Sequence, residues 1–299
     1  MKIRVILTII ALTGFAIPSH ILSQSGRTGS GVRKTTLNLI INFPASSDGG
    51  TAGNQVARDD LSLFDAGIPQ TIETVVADRS PAHVALLVDT TSSLKLDANA
   101  IGPLAHKMLS ELYGDDLAMV VSFAESALVV QEFTADANKL KTATSGFQKK
   151  GMPRLFDAIS ATVDDALQKE IGSGKRIIIL ISDGYDRDST LKFEDVLARL
   201  QDDNIVVYVV QTPDRTLGAS RRTGPKPTEA IRLLTEGTGG KIYDYKDADR
   251  AAKEISEELR HGWYQLTYNP TGMSSQKMRR LLVTVYESKY KVRTKSMIP

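Results

Sequence analysis

Between His83 and Ser93 an apolar run ends in a carboxylate and four consecutive hydroxyls: His-Val-Ala-Leu-Leu-Val-Asp-Thr-Thr-Ser-Ser. Asp89, Thr91 and Ser93, at alternate positions, offer hard oxygen ligands from one tight loop, a donor set that suits Mg²⁺ or Mn²⁺. The run Val84 to Val88 is continuous and bounded by polar residues, the pattern of a central strand covered on both faces. Asp89 then falls at the carboxyl end of that strand, where open α/β sheets bind their ligands. The competing reading makes Asp89 a turn cap, with Ser92 or Ser93 bonding backbone amides.

The elements around this loop alternate. Strands are expected at Val84–Val88, Ala118–Phe123, Leu128–Phe133, Arg176–Ile181 and Ile205–Val210, with a short one at Lys241–Tyr243. Helices are expected near Ala100–Tyr113, Leu155–Lys169, Lys192–Gln201, Thr228–Glu236 and Ala248–Leu259. Strands alternating with helices of this size imply βαβ crossovers and a mostly parallel sheet with helices on both faces. The flanks differ. Leu37, Leu39, Ile41 and Phe43 alternate with polar residues, and Leu61–Phe64 and Thr71–Val76 form two further β-type runs. Asp65-Ala66-Gly67 between those runs suggests a hairpin. After the α/β region, Tyr264–Tyr268, Arg280–Tyr286 and Tyr290–Thr294 return to β patterning. Isolated two- or three-stranded sheets are marginal, so the economical arrangement pairs the two flanks into one small antiparallel β-domain. The doubly wound α/β unit is then inserted within it. The expected segments are a signal peptide over 1–23, a flexible linker over 24–34, N-terminal strands over 35–80, the α/β domain over 81–260 and C-terminal strands over 262–299.

The chain has 299 residues, enough to bury a core without covalent staples. It has no cysteine, which excludes disulfides, thiolate catalysis and zinc–cysteine sites. A formal charge of +2 gives no global basis for a nucleic-acid partner, and none is expected. Lys2 and Arg4 precede the apolar run Val5 to Ile17, Pro18 ends it, and Ser23 suits the last position before cleavage. An uncleaved anchor is the alternative, although the run is short of the roughly 20 residues a spanning helix needs. With no second hydrophobic stretch, the mature chain is expected to carry no membrane span. It is expected to be secreted, periplasmic or at the cell surface.

Asp89-Thr90-Thr91-Ser92-Ser93 resembles the Asp-x-Ser-x-Ser motif of von Willebrand factor type A domains, with Thr in place of the first Ser. Ser182-Asp183-Gly184, after the strand Arg176–Ile181, resembles the family's Thr-Asp-Gly. The segment Gly151 to Ile159 resembles its Gly-Gly-Thr-Ala-Leu-Tyr-Asp-Ala-Ile. The likeness runs over about residues 80 to 260, in the family's order. Asp60 to Ile72 and the strands after Trp263 resemble the flanks of the bacterial "VWFA-related" group first described in Acidobacteria. The resemblance implies a metal-ion-dependent adhesion site in which Asp89, Thr91, Ser93 and Asp183 match four of five side chains. A partner's acidic side chain would complete the metal shell. The fifth position, a Thr in the family, is Pro153 here. Proline has no hydroxyl, so a water must fill the gap or binding must weaken. In a doubly wound sheet the strands ending at Asp89 and Asp183 flank the point where winding reverses, so the two carboxylates meet there.

Two nearby groups bear on that site. Arg154, beside Pro153, could swing toward Asp89 and Asp183 and replace the metal by a bidentate salt bridge; otherwise it is a solvated first-turn residue. Asp186 and Asp188 add acid near the site, Asp186 as a candidate ligand-binding group; otherwise they are solvated loop residues or cap the next helix. The loop from Asp214 to Pro227 holds Arg215, Arg221, Arg222 and Lys226 on the same face. It reads either as a basic patch for an acidic partner or as a mobile exposed loop.

Enzyme readings fare poorly. A haloacid-dehalogenase-type phosphatase needs a second Asp two residues after the first as general acid, and Thr91 stands there. Gly172-Ser173-Gly174-Lys175 lacks P-loop spacing and precedes a strand. His83, His106 and His261 lie in no nucleophile-elbow context. The expectation is a non-enzymatic, exported binding module that recognises a protein ligand at the Asp89 face. A metal-independent structural or assembly component of an envelope complex is the alternative, and a phosphatase-like hydrolase the remote one.

Overall fold

The computed structural model describes residues 34–43, 56–170, 174–217, 224–272, 278–286 and 290–298. The N-terminal flank forms β1 (Thr35–Asn42), β2 (Leu61–Asp65), β3 (Ile68–Gln70) and β4 (Ile72–Ala77). The middle of the chain alternates: β5 (Ala82–Asp89), α1 (Ala98–Ser110), β6 (Leu117–Phe123), β7 (Ala127–Thr134), α2 (Ala137–Thr144) and α3 (Leu155–Asp165). It continues with β8 (Lys175–Ser182), α4 (Phe193–Asp202), β9 (Val206–Gln211), α5 (Pro227–Thr238), β10 (Ile242–Asp244) and α6 (Ala248–Glu257). The C-terminal flank adds β11 (Trp263–Tyr268), β12 (Arg279–Val285), β13 (Lys291–Arg293) and β14 (Met297–Ile298).

The middle strands form one sheet in the order β10-β9-β8-β5-β6-β7, parallel throughout except for the antiparallel edge strand β7. Every residue of β5 and of β8 is buried. Their alternation splits the core in two. Val84, Leu86 and Val88 pack with residues of α1, α2 and α6, while Ala85 and Leu87 pack with residues of α3, α4 and α5. Burial on both faces is what the unbroken apolar runs demand. The chain leaves β5 toward β6 on one side, and β8 lies on the other. Winding therefore reverses between β5 and β8.

The flanks pair with each other. One four-stranded sheet has the order β13-β1-β11-β4 and the other β14-β12-β2-β3. Leu37, Leu39, Leu61, Leu63, Leu266 and Val283 share one core, with Val285 partly buried against it, separate from the two cores around β5. The hairpin around Asp65-Ala66-Gly67 forms, but its second strand is the short β3. Ala66 at φ 52° and Gly67 at φ 80° make the two-residue left-handed turn that matches strand twist. The expected partner run, now β4, crosses instead to the other sheet and pairs with β11. Gln70 holds that corner: its side-chain amide donates to the Thr271 carbonyl at 3.1 Å and accepts from the Thr271 amide at 2.9 Å.

A buried carboxylate fastens the β-flanks to the α/β unit. Glu258 accepts from Asn42 Nδ2 at 2.8 Å and from the Tyr208 hydroxyl at 2.8 Å, and pairs with Arg293 at 2.5 Å. Helix α2, absent from the sequence-based expectation, is capped by Asp136, whose carboxylate accepts from the amides of Asn138 and Lys139. Residues 1–33, with the expected signal peptide, lie outside the described residues. Among the described residues no helix is long and apolar enough to cross a membrane.

Candidate functional site

Asp89 closes β5 and Asp183 follows directly on β8, so neighbouring parallel strands deliver both carboxylates to one end of the sheet. Neither side chain is exposed to solvent. The loop after β5 is held from three directions. The amide and hydroxyl of Thr90 both donate to the Phe123 carbonyl at 3.0 Å, tying the loop to the end of β6. The Ser92 amide donates to Gly151, and the Lys150 amide to Thr90, which brings the segment before α3 alongside. The Lys149 ammonium caps the carbonyls of Leu94 and Leu96. Within the loop, Thr91 donates to Asp89 Oδ1 through its amide at 2.9 Å and its hydroxyl at 2.6 Å. The Ser182 hydroxyl donates to Asp89 Oδ2 at 3.0 Å and accepts from the Gly184 amide at 3.1 Å. Gly184, at φ 81°, allows the close approach of α5. A Cβ there would lie 2.4 Å from the Pro227 carbonyl oxygen.

What these groups surround is an arginine. Arg215, on the loop after β9, sends its guanidinium into the centre, and its side chain is 4% exposed. Nε donates to Asp183 Oδ2 at 2.8 Å, and Nη2 donates to Asp183 Oδ1 at 2.8 Å, a two-pronged grip on one carboxylate. Nη2 also donates to Asp89 Oδ2. Nη1 donates to the Thr91 hydroxyl at 2.6 Å and the Ser93 hydroxyl at 2.9 Å. The Arg215 amide adds a further bond to Asp183 Oδ2 at 2.9 Å, and the guanidinium lies 5.6 Å from the centre of the Tyr185 ring. Burial alone would lower the pKa of Arg215. The hydrogen bonds to Asp183 and the charges of Asp89 and Asp183 outweigh it and hold the pKa above the usual arginine range.

The expected four side chains, Asp89, Thr91, Ser93 and Asp183, thus meet at one point. The expected Mg²⁺ or Mn²⁺ does not fit there as the centre stands. Mg²⁺ demands near-octahedral oxygen ligands, and all four side chains are already bonded to a guanidinium that fills the space between them. The guanidinium and a divalent cation cannot share it. The reading of Arg154 as the neutralising group is corrected likewise. Arg154 precedes α3, with its amide donating to Ala124 and its carbonyl accepting from Ala158. Pro153 is buried beside it, its carbonyl accepting from the Arg187 amide at 2.9 Å.

Asp186, read as a ligand-binding acid, serves α3 instead. Its carboxylate accepts from the Phe156 amide at 3.2 Å and the Ser189 hydroxyl at 2.5 Å. Burial raises its pKa against the pull of those hydrogen bonds. Asp157 answers from α3 by accepting from the amides of Thr190 and Leu191 at 3.0 Å. The helix start and the loop after β8 are therefore locked to each other, a pairing the sequence reading did not anticipate. Arg221 and Arg222 lie outside the described residues.

The model of the von Willebrand factor type A domain matches residues 83–258. The chain belongs to that family. A comparison with curated proteins finds no match. Among solved structures, this type A domain is similar to an aerotolerance-related membrane protein of Bacteroides fragilis, at 16% identity and TM-score 0.45, covering 60% of this chain and 98% of that one. BatB of Bacteroides thetaiotaomicron is similar at 19% identity and TM-score 0.44, covering 60% of this chain and 97% of that one. Proximal thread matrix protein 1 of the mussel byssus, in a structure with a zinc-occupied MIDAS motif, is similar at 14% identity and TM-score 0.48, covering 66% and 49%.

Proposed function

We propose that this type A domain protein is an exported, non-enzymatic protein-binding module whose recognition face is the carboxyl end of the central sheet. The observation that carries the reading is the Arg215 centre. It ties the loops after β5, β8 and β9 to one another through buried, hydrogen-bonded charges, which makes a preorganised face and not a reactive one. Both carboxylates are engaged by a guanidinium, so neither is poised as a nucleophile or base. The centre presents no open ligating position, so recognition falls to the rim. There Lys95 and Lys150 are exposed and can meet an acidic side chain of the partner. Leu217, 86% exposed two residues after Arg215, adds an apolar contact.

An assembly component that contacts its neighbours through the β-flanks is the second reading. Val76, 59% exposed on β4, favours it. A photo-crosslinking amino acid placed at Leu217 or at Val76 in the producing cell separates the two. Discrete adducts from position 217, unchanged by chelator, are expected. Adducts from position 76 alone would replace the first reading by the second.

A further inference from the structure

The donor count at the centre is complete. A guanidinium has five N–H donors in a fixed planar fork. Here Nε spends its one, Nη1 its two and Nη2 its two on Asp183, Asp89, Thr91 and Ser93. Two desolvated carboxylates at adjacent strand ends require positive charge between them. Arg215 supplies it from within the chain, and its backbone amide anchors the same carboxylate. We propose that Arg215 is an intramolecular substitute for a divalent cation, so the native chain takes neither Mg²⁺ nor Mn²⁺ at Asp89 and Asp183. The oxygen cluster keeps a cation-binding capacity that removal of the guanidinium exposes.

Physical terms on both sides decide the competition. A divalent cation would neutralise the two carboxylates fully, whereas one guanidinium leaves a formal charge of −1, so charge favours the metal. Against it, Mg²⁺ sheds its water reluctantly, while a guanidinium is weakly hydrated and comes with its donors already forked. Arg215 is also tethered. Short tethers give effective concentrations on the order of millimolar, sustained without any external supply. Pro153, where the family resemblance places a Thr, has no hydroxyl to orient a water on a metal, whereas the five donors of Arg215 are met without one. The inference concerns the centre alone and does not use partner binding as a readout, so it can fail while the proposed function stands.

Calorimetric titration and thermal melting with Mg²⁺ and Mn²⁺ test it, on the native chain, Arg215→Ala, and Arg215→Ala combined with Asp89→Asn. The native chain should show no saturable binding. Arg215→Ala should gain it, with a melting temperature rising about 5–10 °C at 100 times the dissociation constant. The double variant should lose that response. Saturable binding to the native chain that Asp89→Asn removes would overturn the proposal, as would an Arg215→Ala chain that folds but ignores both cations. Should Arg215→Ala not fold in cation-free buffer, it is refolded with Mg²⁺ or with K⁺ at matched ionic strength. Recovery with Mg²⁺ alone supports the proposal, and no recovery with either counts against it.

Discussion

Two buried charge clusters sit in this molecule, and they are built in opposite ways. Around Glu258, one carboxylate meets one guanidinium, and the formal charge closes at zero. Its partners come from β1, β9 and β13, all held in sheets. Around Arg215, two carboxylates meet one guanidinium, and a charge of −1 remains. Its cation comes from a loop, with Leu217 almost fully exposed two residues away. The first arrangement fastens two parts of the chain permanently. The second fills a ligand-type position with a group that a change in one loop could withdraw. Identical ion chemistry thus acts as a rivet or as a plug, depending on which elements supply it.

The contrast can be broken in graded steps. Glu258→Ala should have the largest effect. It strands the Arg293 charge and the buried Tyr208 hydroxyl, and removing one partner of such a pair costs about 3–5 kcal/mol. Urea unfolding measures it, and divalent cations should restore nothing. Arg215→Lys should cost less, about 1–3 kcal/mol, because an ammonium keeps the charge but loses the fork that grips Asp183. A loss from Arg215→Lys greater than that from Glu258→Ala would invert the comparison. Pro153→Thr should be smallest, under about 1 kcal/mol. It supplies the hydroxyl that the family resemblance places at this position while Arg215 still plugs the centre, so its melting temperature should not respond to Mg²⁺. A response there would mean that the arginine leaves readily.

The residues best read from sequence are those whose surroundings leave a repeated mark. β5, β8 and β9 are buried on both faces, and only uninterrupted apolar runs satisfy that, so they stand out as Val84–Val88, Ile177–Ile181 and Val206–Val210. Asp89 and Asp183 were legible because each ends such a run. The identity of their counter-charge was not. Arg154 and Arg215 both lie on segments that reach the same face, and the choice depends on which way one side chain turns. Spacing does not encode that. Arg215 was visible only as one member of a basic loop, read as facing outward. α2 was missed because it has eight residues and buries only Leu140, Ala143 and Thr144, too few to set a period. The transfer of β4 to the second sheet escaped for a related reason. Alternation gives a strand its buried face, but it does not name the sheet that the strand joins.

The pairing of the flanks also governs the order of events when the chain folds. Ile40 lies opposite Trp263 and Leu61 opposite Val285, partners separated by the whole central unit. Contacts so distant in sequence close late, because the intervening loop must be ordered first. At synthesis rates of about 5–20 residues per second, β1 and β2 wait on the order of ten seconds or more for their partners to emerge. Through that interval they are open strand edges, the surfaces most prone to pair with the wrong chain. The α/β unit can begin to consolidate in the meantime, although one of its two cores also takes in Ile40 of β1 and Trp263 of β11 and is completed only when β11 returns to β1. The two flank sheets are then expected to be the last part to become native, although their first strand is among the first described residues to be made.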